Sequence, residues 1–146
     1  MNYCIRDYKS EDYNEINELW EEIKLGGACR GDNQEIIEYS IRLGGKLIVV
    51  ELPSKEIIGS AWLTFDGRRL YLHHVGVKVK YQNKGFGKLL TKEALKYAKE
   101  KSCQIKLEVH QSNKKAISIY KNLGFSSLGD YDIYIVRDIN TINFRK

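Results

Sequence analysis

Six consecutive residues, Gln82, Asn83, Lys84, Gly85, Phe86 and Gly87, have the types and spacing to hold a phosphate. The run before them, Leu70 to Val79, is rich in β-branched and aromatic residues and reads as a strand. After them Phe86, Leu89, Leu90, Ala94, Tyr97 and Ala98 recur at helical spacing. A strand that turns through two glycines into a helix leaves backbone N–H groups unpartnered at the positive end of the helix dipole. Glycine lets an anion approach that backbone because no Cβ intervenes. Lys84 and Lys88 add charge. The dinucleotide fingerprint G-x-G-x-x-G fails at Leu90, and the nucleotide P-loop fails at Leu89, where magnesium needs a hydroxyl. The pattern left is [Q/R]-x-x-G-x-G, a candidate diphosphate cradle. An ordinary strand-to-helix turn is the competing reading of these six residues taken alone.

A second segment narrows the choice. Ile105 to His110 alternates apolar and polar residues, as a half-buried strand does, and Gln111-Ser112-Asn113 supplies turn and N-cap chemistry. Ala116, Ile117, Tyr120 and Leu123 then form a helical stripe that closes at Gly124, before Phe125. The run from Leu107 to Phe125 resembles the LEV…N…A…Y…LGF segment of the GNAT superfamily of N-acetyltransferases, and [Q/R]-x-x-G-x-G resembles that superfamily's coenzyme A diphosphate loop. The similarity is greatest to the ribosomal-protein-alanine N-acetyltransferase branch. It extends from Tyr3 to about Arg137, with its diagnostic part between Leu70 and Phe125.

The resemblance implies acetyl-CoA as acyl donor and direct transfer of acetyl to a primary amine in a ternary complex. It places the donor on Gln82 to Lys88, on Asn113, which matches an asparagine against the pantetheine arm, and on Tyr120. It also implies that the strand before the loop splays from its parallel neighbour, so that Val75 and Val77 offer backbone groups to the pantetheine; Gly76 marks a bulge, a close approach or simple relief of packing. Tyr120 matches the tyrosine that protonates the departing thiolate, and Glu108 matches the branch's general base. Core packing for Tyr120 and a solvated carboxylate for Glu108 are the plain alternatives. A base is needed because a lysine-type amine, with a pKa of ~10.4, is almost wholly protonated at neutral pH, whereas an α-amine at ~8 is easier to deprotonate. His73 and His74 are further candidates, since an imidazole titrates near ~6.5. As strand neighbours they are expected on opposite faces, one packed and one in the cleft, and therefore not on a shared metal.

The elements that would position these groups follow from periodicity. Met1 to Arg6 reads as a strand. Ser10 caps a helix carrying Ile16, Leu19, Trp20 and Ile23, and Asp32 with Glu35 forms a capping box for a helix carrying Ile36, Ile37 and Ile41. Leu47 to Leu52 and Ile57 to Phe65 form a hairpin, Asp66-Gly67 turns into the third strand, and Asp130 to Ile139 reads as the last strand. The expectation is a layered α/β fold, a mixed and mostly antiparallel sheet flanked by helices in the order β-α-α-β-β-β-α-β-α-β-β, as one N-acetyltransferase domain over 1–146. Acceptor contacts fall to the less motif-like half, with Trp20, Arg30, Asp32 and Tyr131 as candidates by placement.

Composition agrees with an enzyme of this kind. A length of 146 residues with 42% hydrophobic content suits a single core. The net charge of +5 suits an anionic co-substrate and equally a soluble basic surface. Nucleic acid is disfavoured as a partner, because the lysines are dispersed without interleaved aromatic platforms. Three scattered cysteines argue for a reducing compartment, and no apolar run is long enough to span a bilayer; the expected setting is cytoplasmic, with no membrane partner. The partner is a small-molecule or peptide amine, with a homodimer left open. A non-catalytic acyl-CoA-binding regulatory module is the alternative function.

Overall fold

Val-, Ile- and Leu-rich runs dictate the middle of a five-stranded sheet. The computed structural model describes residues 1–144, Cys29 by its backbone alone. Strands β1 (Cys4–Asp7), β2 (Lys46–Glu51), β3 (Ile57–Phe65), β4 (Arg69–Val77) and β5 (Gln104–Leu107) lie side by side in that order. Neighbours are antiparallel as far as β4, and β4 with β5 is parallel. β2 and β3 are covered on both faces, which is why they read as near-continuous apolar runs rather than alternating ones.

Helices α1 (Tyr13–Glu22) and α2 (Gln34–Arg42) lie on one face, and α3 (Phe86–Lys101) and α4 (Lys114–Asn122) on the other. Alternation along β2 splits its side chains between the two layers. Leu47 and Val49 join Ile16, Leu19, Trp20 and Ile37, while Ile48 and Val50 join Phe86, Leu90 and Ala94. Each fully buried aliphatic or aromatic side chain contributes roughly 1.5–3 kcal/mol of transfer free energy.

Two irregularities in β4 matter for function. Ser60 pairs with Gly76 and Trp62 with His73, so that His74 and Val75 together oppose the single residue Ala61. This is a β-bulge, and His74 takes φ +49° within it. The extra residue resets the alternation, so Val75 and Val77 pack into the α3 layer while Tyr71 and His73 face the other side. Unbroken alternation along the strand expected from Leu70 to Val79 would have put Val75 and Val77 on the same face as Tyr71 and His73; the bulge separates them. The second irregularity is a divergence. β4 pairs with β5 from Arg69/Gln104 to Leu72/Leu107 and no further, leaving residues 73–77 with an open edge. The expected splay is present.

Other expectations shift. β5 ends at Leu107 rather than His110, so Glu108 lies one residue past the strand. The cap of α2 is Asn33, whose Oδ1 accepts the Ile36 N–H at 2.9 Å, not Asp32. Ser10 starts a short 3-10 turn, Ser10–Asp12, that leads into α1. The strand expected over Asp130 to Ile139 is absent, as is any second strand after α4 among the described residues, where a 3-10 turn, Ile139–Thr141, is the one regular element. Tyr131, Ile133, Ile135 and Val136 have β-type composition but are exposed. Strand preference is realised through cross-strand pairing, and among the described residues no ladder partner meets this segment.

Candidate functional site

The first part of the site is built from backbone. β4 leads through a 3-10 turn, Val79–Tyr81, into Gln82 to Gly85, and Gly85 caps α3 with φ +89°. The first helical hydrogen bond runs from the Leu89 N–H to the Gly85 carbonyl, 3.1 Å. The N–H groups of Phe86, Gly87 and Lys88 precede that bond and point out of the helix end. Space above them is open, since a Cβ built on Gly85 meets nothing within 4 Å and one on Gly87 meets Ile119 Cδ1 at 3.9 Å. Asn83 also takes a left-handed φ of +64°, curling the loop back on itself. Lys84 and Lys88 are exposed at the rim. Positive backbone, open approach and flanking cations fit a diphosphate.

Gln82 has a role that the motif does not announce. Its Nε2 donates to the Val77 carbonyl at 2.9 Å, tying the loop to the end of β4. The Lys78 N–H bonds to Ile58 on β3, so by alternation the N–H and C=O groups of Val75 and Val77 turn away from β3 toward the open edge. The Val77 carbonyl is thus already partnered, leaving the Val75 groups and the Val77 N–H for an extended ligand arm. Gly76 relieves packing, because a Cβ there would meet Ile23 Cδ1 at 2.2 Å and Leu25 Cδ1 at 2.5 Å.

The second part is built from side chains on the α1 face. The bulge brings His73 and His74 to the same side, ring centroids 6.4 Å apart, which corrects the expectation of opposite faces. Trp20 from α1 and Trp62 from β3 stack at 5.4 Å and wall in His74, Trp20 edge-on at 4.6 Å and Trp62 at 5.4 Å. His74 Nε2 lies 2.9 Å from Asp32 Oδ2. His73 Nε2 lies 2.8 Å from Thr64 Oγ1, and its ring stacks on Tyr71 at 4.9 Å. Tyr71 donates in turn to Glu108 Oε1 at 2.6 Å. Burial pushes the His73 pKa below its ordinary value and the nearby His74 adds to that, so the imidazole is neutral at physiological pH. Burial, then the bond to Glu108, raises the Tyr71 phenol to about 12. The result is a row of polar and titratable groups with a carboxylate at each end, Asp32 and Glu108.

Tyr120 stands on α4, edge-to-face with Phe125 at 5.6 Å. Burial raises its pKa, which keeps the phenol protonated as a donor. Its hydroxyl has no hydrogen bond among the described residues and is not sealed from solvent. Asn113 caps α4, its Oδ1 accepting the Ala116 N–H at 3.3 Å, which leaves its amide N–H groups free to donate. No hydrogen bond joins Tyr120 to Glu108 or to the histidines. Of the acceptor candidates, Trp20 and Asp32 belong to the histidine cluster, whereas Arg30 and Tyr131 are exposed away from its contacts. Sequence reasoning missed Trp62 and Tyr71, and placed Thr64 only within a turn, Thr64 to Arg69, assigned to the acceptor side. Their signal is cross-strand register, as Trp62 pairs with His73 and Thr64 with Tyr71, and a hairpin alignment through Asp66-Gly67 would have found it.

Comparison with known proteins gives the same picture. The Acetyltransferase (GNAT) family profile matches residues 13–125. Thialysine N-epsilon-acetyltransferase of Sus scrofa is 39% identical over 66 residues, a match that covers 44% of this chain and 39% of that enzyme. The matched stretch thus spans about two fifths of that relative's own length. A GNAT-family acetyltransferase from Staphylococcus aureus Mu50 superimposes with a TM-score of 0.77 at 22% identity, covering 90% of this chain and 89% of that one. The ribosomal-protein-alanine N-acetyltransferase from Brucella melitensis biovar Abortus 2308 does so with a TM-score of 0.70 at 14% identity, covering 94% and 100%. At these identities the structural likeness speaks for the fold alone.

Proposed function

The chain belongs to the Acetyltransferase (GNAT) family, and from that premise we propose that it transfers the acetyl group of acetyl-CoA to a primary amine. The observation that carries this reading is the open helix end at Gly85 to Lys88, beside a strand whose next neighbour has diverged. The Phe86, Gly87 and Lys88 N–H groups would take the diphosphate, with Lys84 and Lys88 screening its charge. The Val75 backbone, the Val77 N–H and the Asn113 amide would hold the pantetheine arm along the open edge. The thioester is thereby delivered into the gap between β4 and α4.

The chain's own groups then divide the proton work. The incoming amine is mostly an ammonium at neutral pH and must lose a proton before it attacks the thioester carbonyl. His73, kept neutral by burial, forms the accepting set with His74 and Glu108. Tyr120, held protonated by burial, donates to the leaving thiolate and becomes free to regain a proton from solvent.

For the acceptor we propose an aliphatic primary amine on a small cationic molecule. The thialysine acetyltransferase similarity supports that class, as does the pair of carboxylates, Asp32 and Glu108, flanking the histidines. The setting proposed is cytoplasmic, in keeping with unpaired Cys4 and Cys103. No helix among the described residues is long and apolar enough to cross a membrane.

The test is thiol release from acetyl-CoA against a panel of lysine-like amino acids, polyamines and peptide N-termini. Turnover with a small aliphatic amine, lost in Tyr120→Phe, is the expected result. Coenzyme A binding without turnover on any amine would replace this reading with the regulatory one.

A further inference from the structure

Asp32 sits on the loop between α1 and α2, far in sequence from His74, and the loop is shaped around their contact. The Asp32 Oδ2 that lies 2.9 Å from His74 Nε2 also accepts the Gly27 N–H at 3.3 Å. Gly26 leaves no room for anything larger, since a Cβ there would lie 2.3 Å from Asp32 Oδ2 and 2.6 Å from His74 Nε2. Capping of α2 by Asn33 releases the Asp32 carboxylate for this bond. His74 is fixed from its other sides as well. Its carbonyl accepts the Ser60 hydroxyl at 3.1 Å, and that hydroxyl accepts Trp20 Nε1–H at 2.9 Å. Trp20 and Trp62 wall in the ring.

A carboxylate accepts only, so Nε2 carries the hydrogen and Nδ1 carries the lone pair. Nδ1 has no hydrogen-bond partner among the described residues, yet it is not among the buried unpartnered atoms, so it reaches solvent. Among the described residues, the charged and titratable groups facing the ring are Asp32 from the loop and His73 from β4; α1 and β3 present tryptophans and a serine. An imidazole held in one tautomer, backed by a carboxylate and open at the other nitrogen, is arranged as a base.

We propose that Asp32 is a positioning residue for acetyl transfer, holding His74 as the Nε2–H tautomer so that Nδ1 takes the proton of the acceptor ammonium. This rests on the acetyl-transfer reading above and selects one base from its accepting set. In the step, the N–H bond of R–NH3+ breaks and its proton forms a bond to Nδ1. The electron pair left on nitrogen attacks the thioester carbonyl, the C–S bond breaks as the thiolate takes the Tyr120 proton, and the second N–H proton of the adduct passes to solvent, from which Tyr120 regains its own. Asp32 stabilises the imidazolium, which later gives the proton to water. His73, bonded to Thr64 and kept neutral by burial, stays beside it as a polar wall.

The experiment compares wild type with Asp32→Asn, Asp32→Glu and His74→Gln by three readouts: coenzyme A titration, the pH dependence of kcat/KM for the amine, and 15N imidazole shifts. Asp32→Asn is expected to leave coenzyme A affinity within about threefold. It should lower kcat/KM for the amine roughly 10²-fold or more, because an amide can no longer enforce the tautomer. Asp32→Glu should recover part of the rate. Combining Asp32→Asn with His74→Gln should cost no more than His74→Gln alone, as expected of groups acting as one unit. The 15N spectrum should report Nε2–H at His74 in wild type and a mixture in Asp32→Asn, whether or not the chain turns over. An unchanged kcat/KM in Asp32→Asn, a wild-type profile in His74→Gln, or a His74 protonated on Nδ1 would overturn the proposal while leaving acetyl transfer standing. Failure to bind coenzyme A at all would remove the acetyl-transfer reading instead, and this step with it.

Discussion

The donor half of the site is made of backbone and the acceptor half of side chains. Residues 82–88 hold their ligand geometry through φ angles and a helix end, and a Cβ built on Gly85 would meet nothing within 4 Å. The histidine cluster draws Trp20, Asp32, Trp62, Thr64, Tyr71 and Glu108 from α1, a loop, two strands and the start of the β5–α4 connection, interlocked by ring packing and short hydrogen bonds. A backbone site tolerates almost any side chain at its rim but not a change of conformation. A side-chain site tolerates neither a lost volume nor a shifted neighbour, because each group is positioned by the next.

That contrast makes the two halves separable by mutation. The largest effect belongs to Trp20→Ala. Trp20 is fully buried, and removing it should cost about 3–5 kcal/mol, read by urea denaturation. Below its unfolding temperature this variant should still bind coenzyme A within about threefold while losing amine turnover. Equal loss of both would mean that the halves are not separate. Next comes Tyr120→Phe, which removes the donor to the leaving thiolate. It should lower kcat about 10²-fold with the acetyl-CoA dissociation constant little changed, measured by steady-state kinetics beside calorimetry. Smaller again is Gly85→Val. A β-branched residue at φ +89° is strained by about 1–3 kcal/mol. If the cradle yields rather than the fold, coenzyme A affinity falls roughly tenfold or more while the amine-site histidines keep their NMR shifts.

The smallest effect is a pH slope. The folded-state pKa of His73 is depressed, so the unfolded chain binds the extra proton more readily. Stability is therefore full above the ordinary histidine value of ~6.5 and falls as pH drops from there through the folded value. His73→Gln should flatten that slope in denaturation curves taken between neutral and mildly acidic pH, with no change at alkaline pH. An unchanged slope would assign the titration elsewhere.

The same contrast governs what could be read from the residues in order. Gly85 and Gly87 between a β-rich run and a helical stripe write the donor half locally, because backbone conformation is a matter of neighbours in sequence. Asn113, Tyr120 and Gly124 sit in one helix with its own cap and stop, and that helix is formed as expected. The acceptor half depends on register. His73 and His74 read as opposite faces because Gly76, which offers a bulge as one of three readings, does not say that the extra residue falls at His74, opposite Ala61. Asp32 looked like half of a capping box because Asn33, the residue that caps, is its neighbour and has the same preference. The strand expected from Asp130 failed for a related reason. Tyr131, Ile133 and Ile135 alternate as a strand should, but pairing is a tertiary event that alternation alone does not supply.

Calorimetric titration of the native chain with coenzyme A, repeated with coenzyme A lacking its diphosphate, tests the central assignment most directly. The account predicts saturable one-to-one binding of the intact molecule that is weakened at least tenfold without the diphosphate and further weakened by salt. No association with coenzyme A in large excess, or equal affinity for both forms, would contradict a diphosphate held on the Phe86, Gly87 and Lys88 amides.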